Sequence, residues 1–109
     1  MNNILPEEAY EIIDNGEAVV IDVRTPAEFD GGHISGARNI DINDSTFSEK
    51  IRALDTNASY VINCHLGGRS SKATAIMQEL GFTNVKNLDG GITAWKKAGL
   101  PVNGPEGTK

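Results

Sequence analysis

Two short runs, Ala-Val-Val-Ile-Asp-Val at 18–23 and Tyr-Val-Ile-Asn at 60–63, constrain this chain more than any other feature. Both are rich in β-branched and apolar residues and lack the alternation of a strand with one wet face. Each therefore requires cover on both sides, as strands inside a parallel sheet do. Helix signals fall between and after them, and strands alternating with helices at such short spacings imply a parallel sheet with helices on both faces and right-handed crossovers. With 109 residues there is room for one such domain and one packed core.

Caps and spacing mark the helices. Pro6 sits at a first helical position, Ala9, Ile12 and Ile13 share a face, and Gly16 closes that helix. Thr25-Pro26-Ala27-Glu28 joins an N-cap threonine, a proline at the first helical position and a glutamate placed to complete a capping box, with Gly31 and Gly32 as the stop. Residues 36–42 hold a short strand, and 47–54 a helix with Phe47, Ile51 and Leu54 at helical spacing. Ala73, Ile76, Met77 and Leu80 repeat at i, i+3, i+4, i+7 before Gly81 and predict a longer helix. Residues 85–88 read as a strand and 90–99 as a last helix, with Ile92 and Trp95 inward and Pro101 beyond its end. The domain is expected over 1–103. The end of the chain reads as frayed from Asn103, with 104–109 as a flexible tail.

Cys64, the single cysteine, stands where the second buried run ends and the longer helix has yet to start. Open parallel sheets hold their ligands beyond the carboxyl ends of the strands, at just such a junction. A lone cysteine forms no internal disulfide, and taken alone it reads best as a small buried apolar residue. Its neighbours change that reading. In Cys64-His65-Leu66-Gly67-Gly68-Arg69-Ser70 the paired glycines let successive amides converge into an anion nest. The helix N-terminus adds unpaired N–H groups, and Arg69 adds a permanent cation. All of these favour thiolate over thiol and are expected to lower the Cys64 pKa.

Four blocks in fixed order carry a family resemblance: Asp22-Val23-Arg24-Thr25-Pro26-Ala27-Glu28-Phe29, then Gly32-His33-Ile34-Ser35-Gly36-Ala37, the Cys64 loop, and Leu88-Asp89-Gly90-Gly91-Ile92-Thr93-Ala94-Trp95. Together they resemble the signatures of single-domain rhodaneses, over about 5–102 of the chain. The resemblance implies an α/β fold with an open, five-stranded parallel sheet and helices on both faces. It also implies transfer of sulfane sulfur, in which Cys64 attacks a donor and holds the sulfur as a persulfide until an acceptor removes it. His65, Leu66, Gly67, Gly68, Arg69 and Ser70 would then surround the substrate, and Asp22 and Arg24 would support the loops. The implied donor is thiosulfate or a persulfide, and the acceptor is cyanide or a thiol, protein thiols included. No metal or cofactor is expected.

Cysteine phosphatases and arsenate reductases related to this fold carry a longer loop between Cys and Arg. Here only four residues, His65 to Gly68, intervene, which suits one sulfur atom better than a tetrahedral oxyanion. Leu66 stands where some thiosulfate-using relatives carry polar or basic groups, and His65 where many carry arginine. These departures leave the donor open between thiosulfate and a bulkier persulfide.

Arg69 has two readings, orienting an anionic donor or pairing with a carboxylate that holds the loop closed. His33 reads as a hydrogen-bonded loop anchor. Asp89-Gly90-Gly91 reads as a tight turn and cap whose glycines let the last helix approach the Cys64 loop, and Trp95 reads as core. A net charge of −5 and a pI near 4.9 disfavour nucleic acid and anionic membranes as partners. No apolar run approaches the roughly 20 residues of a membrane helix, and residues 1–7 lack the pattern of a signal peptide. The cytoplasm is the expected compartment. Two other classes compete with a free-standing sulfurtransferase: a docking or sulfur-relay module with little small-molecule turnover, and a redox-sensing thiol. The latter is weaker, because no second cysteine is present to resolve a sulfenic acid.

Overall fold

The computed structural model describes residues 2–104. The two buried runs become neighbouring central strands, β2 (Val19–Asp22) and β5 (Tyr60–Asn63), paired in parallel with Val20 opposite Val61 and Asp22 opposite Asn63. β6 (Val85–Leu88) lies on the other side of β5, and β1 (Asn3–Ile4) forms the edge beside β6. β4 (Arg38–Asn39) forms the opposite edge beside β2, giving a five-stranded sheet of order 1-6-5-2-4 in which every pairing is parallel.

Five helices connect and cover these strands: α1 (Pro6–Asp14), α2 (Pro26–Asp30), α3 (Phe47–Arg52), α4 (Gly68–Glu79) and α5 (Gly91–Lys97). Successive strand residues point to opposite faces, so each central strand feeds two cores. Ile21, Ile62 and Val85 pack with Phe47 and Ile51 of α3 and Ala73 and Met77 of α4. Val20, Val61 and Leu88 pack with Ala9 of α1 and Ile92 and Trp95 of α5. The unbroken apolar runs are explained by this double cover.

The strand expected at 36–42 is regular only at Arg38–Asn39, although Ile40 and Ile42 continue to donate to the carbonyls of Asp22 and Val23. A second, two-stranded antiparallel sheet pairs β3 (His33–Ile34) with β7 (Val102–Asn103). Asn103 is thus part of a strand, opposite His33, and not the start of a frayed end. The rest of the expected tail, 105–109, lies outside the described residues. Among the described residues no helix is long and apolar enough to cross a membrane.

Candidate active site

Cys64 leaves the carboxyl end of β5 and is only 1% exposed. Three residues on, Gly67 takes φ +114° and ψ −9° as the N-cap of α4, a backbone that an L side chain rarely adopts. The chain folds back through it, so that the Gly67 amide donates to Cys64 Sγ at 3.0 Å and the Ser70 hydroxyl lies 3.3 Å from the same sulfur. Burial pushes the Cys64 thiol up. Hydrogen bonds from the Ser70 hydroxyl and the amides of Ser70, Gly67 and Leu66 outweigh it, and the net shift is downward.

Only one glycine of the pair is needed for this geometry. A Cβ on Gly68 would meet open space, and Gly68 has no positive φ, so the paired-glycine reading of the nest narrows to Gly67. Gly67→Ala is expected to cost about 1–2 kcal/mol in urea unfolding and to raise the thiol pKa. Gly68→Ala is expected to leave stability unchanged or raise it by up to about 1 kcal/mol, by restricting the unfolded chain.

Arg69 grips Glu28 with both terminal nitrogens, Nη1 to Oε1 at 2.7 Å and Nη2 to Oε2 at 3.0 Å. Of its two readings, the carboxylate pair is the one observed. Glu28 also completes the expected capping box, accepting from the Thr25 amide at 3.1 Å while its own amide donates to Thr25 Oγ1 at 3.3 Å. The Arg69 hydrogen bond, against the cost of burial and aided by Thr25, lowers the Glu28 pKa from 4.5 to about 2. Glu28 in turn raises the Arg69 pKa, with smaller contributions from the charges of Cys64 and Asp22. Because the Glu28 pKa is depressed on folding, its contribution to stability is complete above about 4.5 and is lost as pH falls towards about 2. The difference in thermal midpoint between wild type and Glu28→Gln is therefore expected to shrink across that window.

Asp22 and Arg24, at the carboxyl end of β2, are 0% and 5% exposed. The Arg24 guanidinium donates to Asp22 through Nη2 at 2.8 Å and Nε at 3.0 Å, and Nη2 also donates to the Gly32 carbonyl at 2.7 Å. Asn63, the residue before Cys64, donates to Asp22 Oδ2 at 3.3 Å. The pair thus ties the α2–β3 turn to the strand that leads into Cys64.

The N-terminus of α5 roofs the loop. Ile92 N donates to the Cys64 carbonyl at 2.9 Å, and Thr93 donates to the His65 carbonyl through its hydroxyl at 3.0 Å. A Cβ on Gly91 would lie 2.5 Å from Cys64 O and 2.6 Å from His65 O, so this close approach requires glycine, as expected of the turn. Within that turn the N-cap is Gly90, and no side chain caps the helix. Trp95 is core, with Nε1 donating to the Pro101 carbonyl at 2.9 Å. His33 is held by Phe29, whose ring stacks on it at 3.8 Å and whose carbonyl accepts from its Nδ1 at 2.9 Å.

His65 and Leu66 are exposed at the rim, Leu66 by 64%. The structure also adds residues that the sequence reading did not select: Glu28 as the partner of Arg69, Asn63 beneath Asp22, Thr93 over His65, and Asn87, which accepts from the Ser70 hydroxyl. Asn63 and Asn87 carried a usable signal. A polar side chain within a buried strand must have a hydrogen-bond partner, and here both partners belong to the site. The arrangement places one sulfur among amides and a hydroxyl that lower its pKa, at the end of a central strand.

The rhodanese-like domain family matches residues 5–98. The thiosulfate sulfurtransferase GlpE of Pseudomonas aeruginosa (strain LESB58) is 41% identical over 93 residues, covering 85% of this chain and 82% of the relative. That of Ectopseudomonas mendocina is 37% identical over 106 residues, covering 97% and 94%. Among solved structures, a rhodanese-related protein from Thermoplasma volcanium superposes with a TM-score of 0.85 at 34% identity, covering 94% of this chain and 98% of that one.

Proposed function

The chain belongs to the rhodanese-like domain family, and from that premise we propose that it is a thiosulfate sulfurtransferase working through a Cys64 persulfide. The observation that carries this reading is the sulfur itself. Cys64 Sγ sits among the Gly67 amide and the Ser70 hydroxyl with its pKa lowered, in a loop of four residues between Cys and Arg that wraps one atom closely.

The Cys64 thiolate attacks the outer sulfur of thiosulfate. The bond between the two thiosulfate sulfurs breaks, its electron pair leaves with sulfite, and the new S–S bond leaves a persulfide on Cys64. The nest then holds the anionic terminal sulfur. Cyanide or a thiol attacks that sulfur and releases the Cys64 thiolate. Arg69, paired with Glu28, fastens the start of α4 to α2, and Asp22 and Arg24 brace the loops. The cytoplasm suits this chemistry, because a reducing compartment keeps a lone thiol reduced and supplies acceptor thiols.

Intact-mass measurement after incubation with thiosulfate is expected to show one added sulfur that cyanide removes, with parallel initial-rate lines for the two substrates. No sulfur gained from thiosulfate or from an organic persulfide, or faster turnover of an aryl phosphate than of thiosulfate, overturns the reading. A second reading, sulfur relay to a protein partner, is favoured by Leu66, the large apolar side chain exposed beside the nucleophile. Sulfur loading with negligible turnover to cyanide or small thiols selects the relay.

A further inference from the structure

Behind the sulfur runs a chain of side chains that ends at the sheet edge. Ser70 Oγ lies 3.3 Å from Cys64 Sγ and 3.2 Å from the Gly67 carbonyl, and it donates to Asn87 Oδ1. Asn87 Nδ2 donates to Asn3 Oδ1 at 3.1 Å, across the β1–β6 pairing in which Asn3 stands opposite Asn87. Ser70 and Asn87 are 0% and 5% exposed, whereas Asn3 is exposed.

The Ser70 hydroxyl has one proton and several acceptors around it. With that proton on Asn87 Oδ1, the Ser70 oxygen presents lone pairs to the sulfur, which suits a thiol donating its S–H. A thiolate requires the reverse, with Ser70 donating to sulfur. Asn87 Oδ1 would then face a Ser70 oxygen with no proton to offer, inside the protein, where an unpaired acceptor is costly. A half-turn of the Asn87 amide removes the conflict, because oxygen and NH2 exchange places without a change of shape. Nδ2 then donates to Ser70, and the exposed Asn3 amide turns to donate to Asn87 Oδ1. We propose that Asn87 is a positioning residue for Cys64, whose reversible amide lets Ser70 change from acceptor of the thiol proton to donor to the thiolate.

This rests on Cys64 being the reactive thiol of the proposed function, and its test reads ionisation, not turnover. Because Cys64 is the single cysteine, the ultraviolet thiolate absorbance of wild type minus Cys64→Ser titrates this sulfur alone. The charged groups around it are Arg69 of α4 with Glu28 of α2, and the Asp22–Arg24 pair of β2, with His65 in the loop itself. The variants below retain all of them.

Asn3→Asp, at an exposed position that tolerates the change, places an acceptor-only group opposite Asn87. It holds Nδ2 outward and Oδ1 on Ser70, and is expected to raise the Cys64 pKa by about one unit. In a Ser70→Ala background the same substitution is expected to have no effect. Asn87→Leu, which takes no proton from Ser70, is expected to leave the pKa equal to wild type or lower. An Asn3→Asp value within a few tenths of wild type overturns the proposal. So does a shift that persists without the Ser70 hydroxyl, or an Asn87→Leu shift as large as that of Asn3→Asp. A wild type that titrates as described but takes no sulfur sinks the functional reading and leaves this one standing.

Discussion

Cys64→Ser is expected to take up no sulfur from thiosulfate and to lose at least about a thousandfold in sulfurtransferase turnover, because no other group in the site can carry the covalent intermediate. A serine hydroxyl fits the space and keeps the bonds to Gly67 and Ser70, but it stays protonated at neutral pH, and the nest cannot ionise it. Its thermal midpoint is expected to stay within a few degrees of wild type, since a single buried sulfur is exchanged for a smaller hydrogen-bonding atom in a site built of polar donors. Intact mass and initial rates measured on the same preparation separate the two effects. Turnover near the wild-type level would move the chemistry away from this loop altogether.

The second large effect is on folding. Asp22→Ala is expected to destabilise the protein by about 3–5 kcal/mol, because it strands the Arg24 guanidinium, 5% exposed, without its carboxylate. The loss is a large share of the stability of a small domain, about 5–15 kcal/mol in all. The other ion pair at the site gives the contrast. Glu28 and Arg69 have side chains 36% and 33% exposed, so Glu28→Gln is expected to cost no more than about 1 kcal/mol. Urea unfolding of both variants, with thiol titration alongside, checks the ranking. An Asp22→Ala protein as stable as Glu28→Gln would show that solvent reaches Arg24 and that the pair braces nothing.

The central strands, the helix caps and the Cys64 loop were legible because each has a local cause: double-faced burial, the Thr25–Glu28 box, and the glycine before α4. Three of the short strands were not. Asn3–Ile4, His33–Ile34 and Val102–Asn103 are two residues each, too short for any periodicity, and exist only because a partner strand lies alongside. The site divides in the same way. Cys64 and its loop announce themselves in seven consecutive residues, whereas Glu28 reaches Arg69 across 41 positions and Asn87 reaches Ser70 across 17. Glu28 was also masked by a sufficient local explanation, since the capping box accounts for it without any distant partner. The glycine pair erred the other way, because sequence cannot tell which of Gly67 and Gly68 bears the positive φ.

The roof that α5 places over the loop has a consequence for biosynthesis. The carbonyls of Cys64 and His65 find Ile92 and Thr93 only after that later stretch of chain has left the ribosome, and Gly91 must be in place for them to meet. Until then the loop lacks its cover, although the groups that lower the Cys64 pKa, those of Ser70, Gly67 and Leu66, already lie upstream in the chain. The sulfur's own donors thus come before its cover, and what α5 adds is a hold on the two carbonyls that fix the path of the loop backbone.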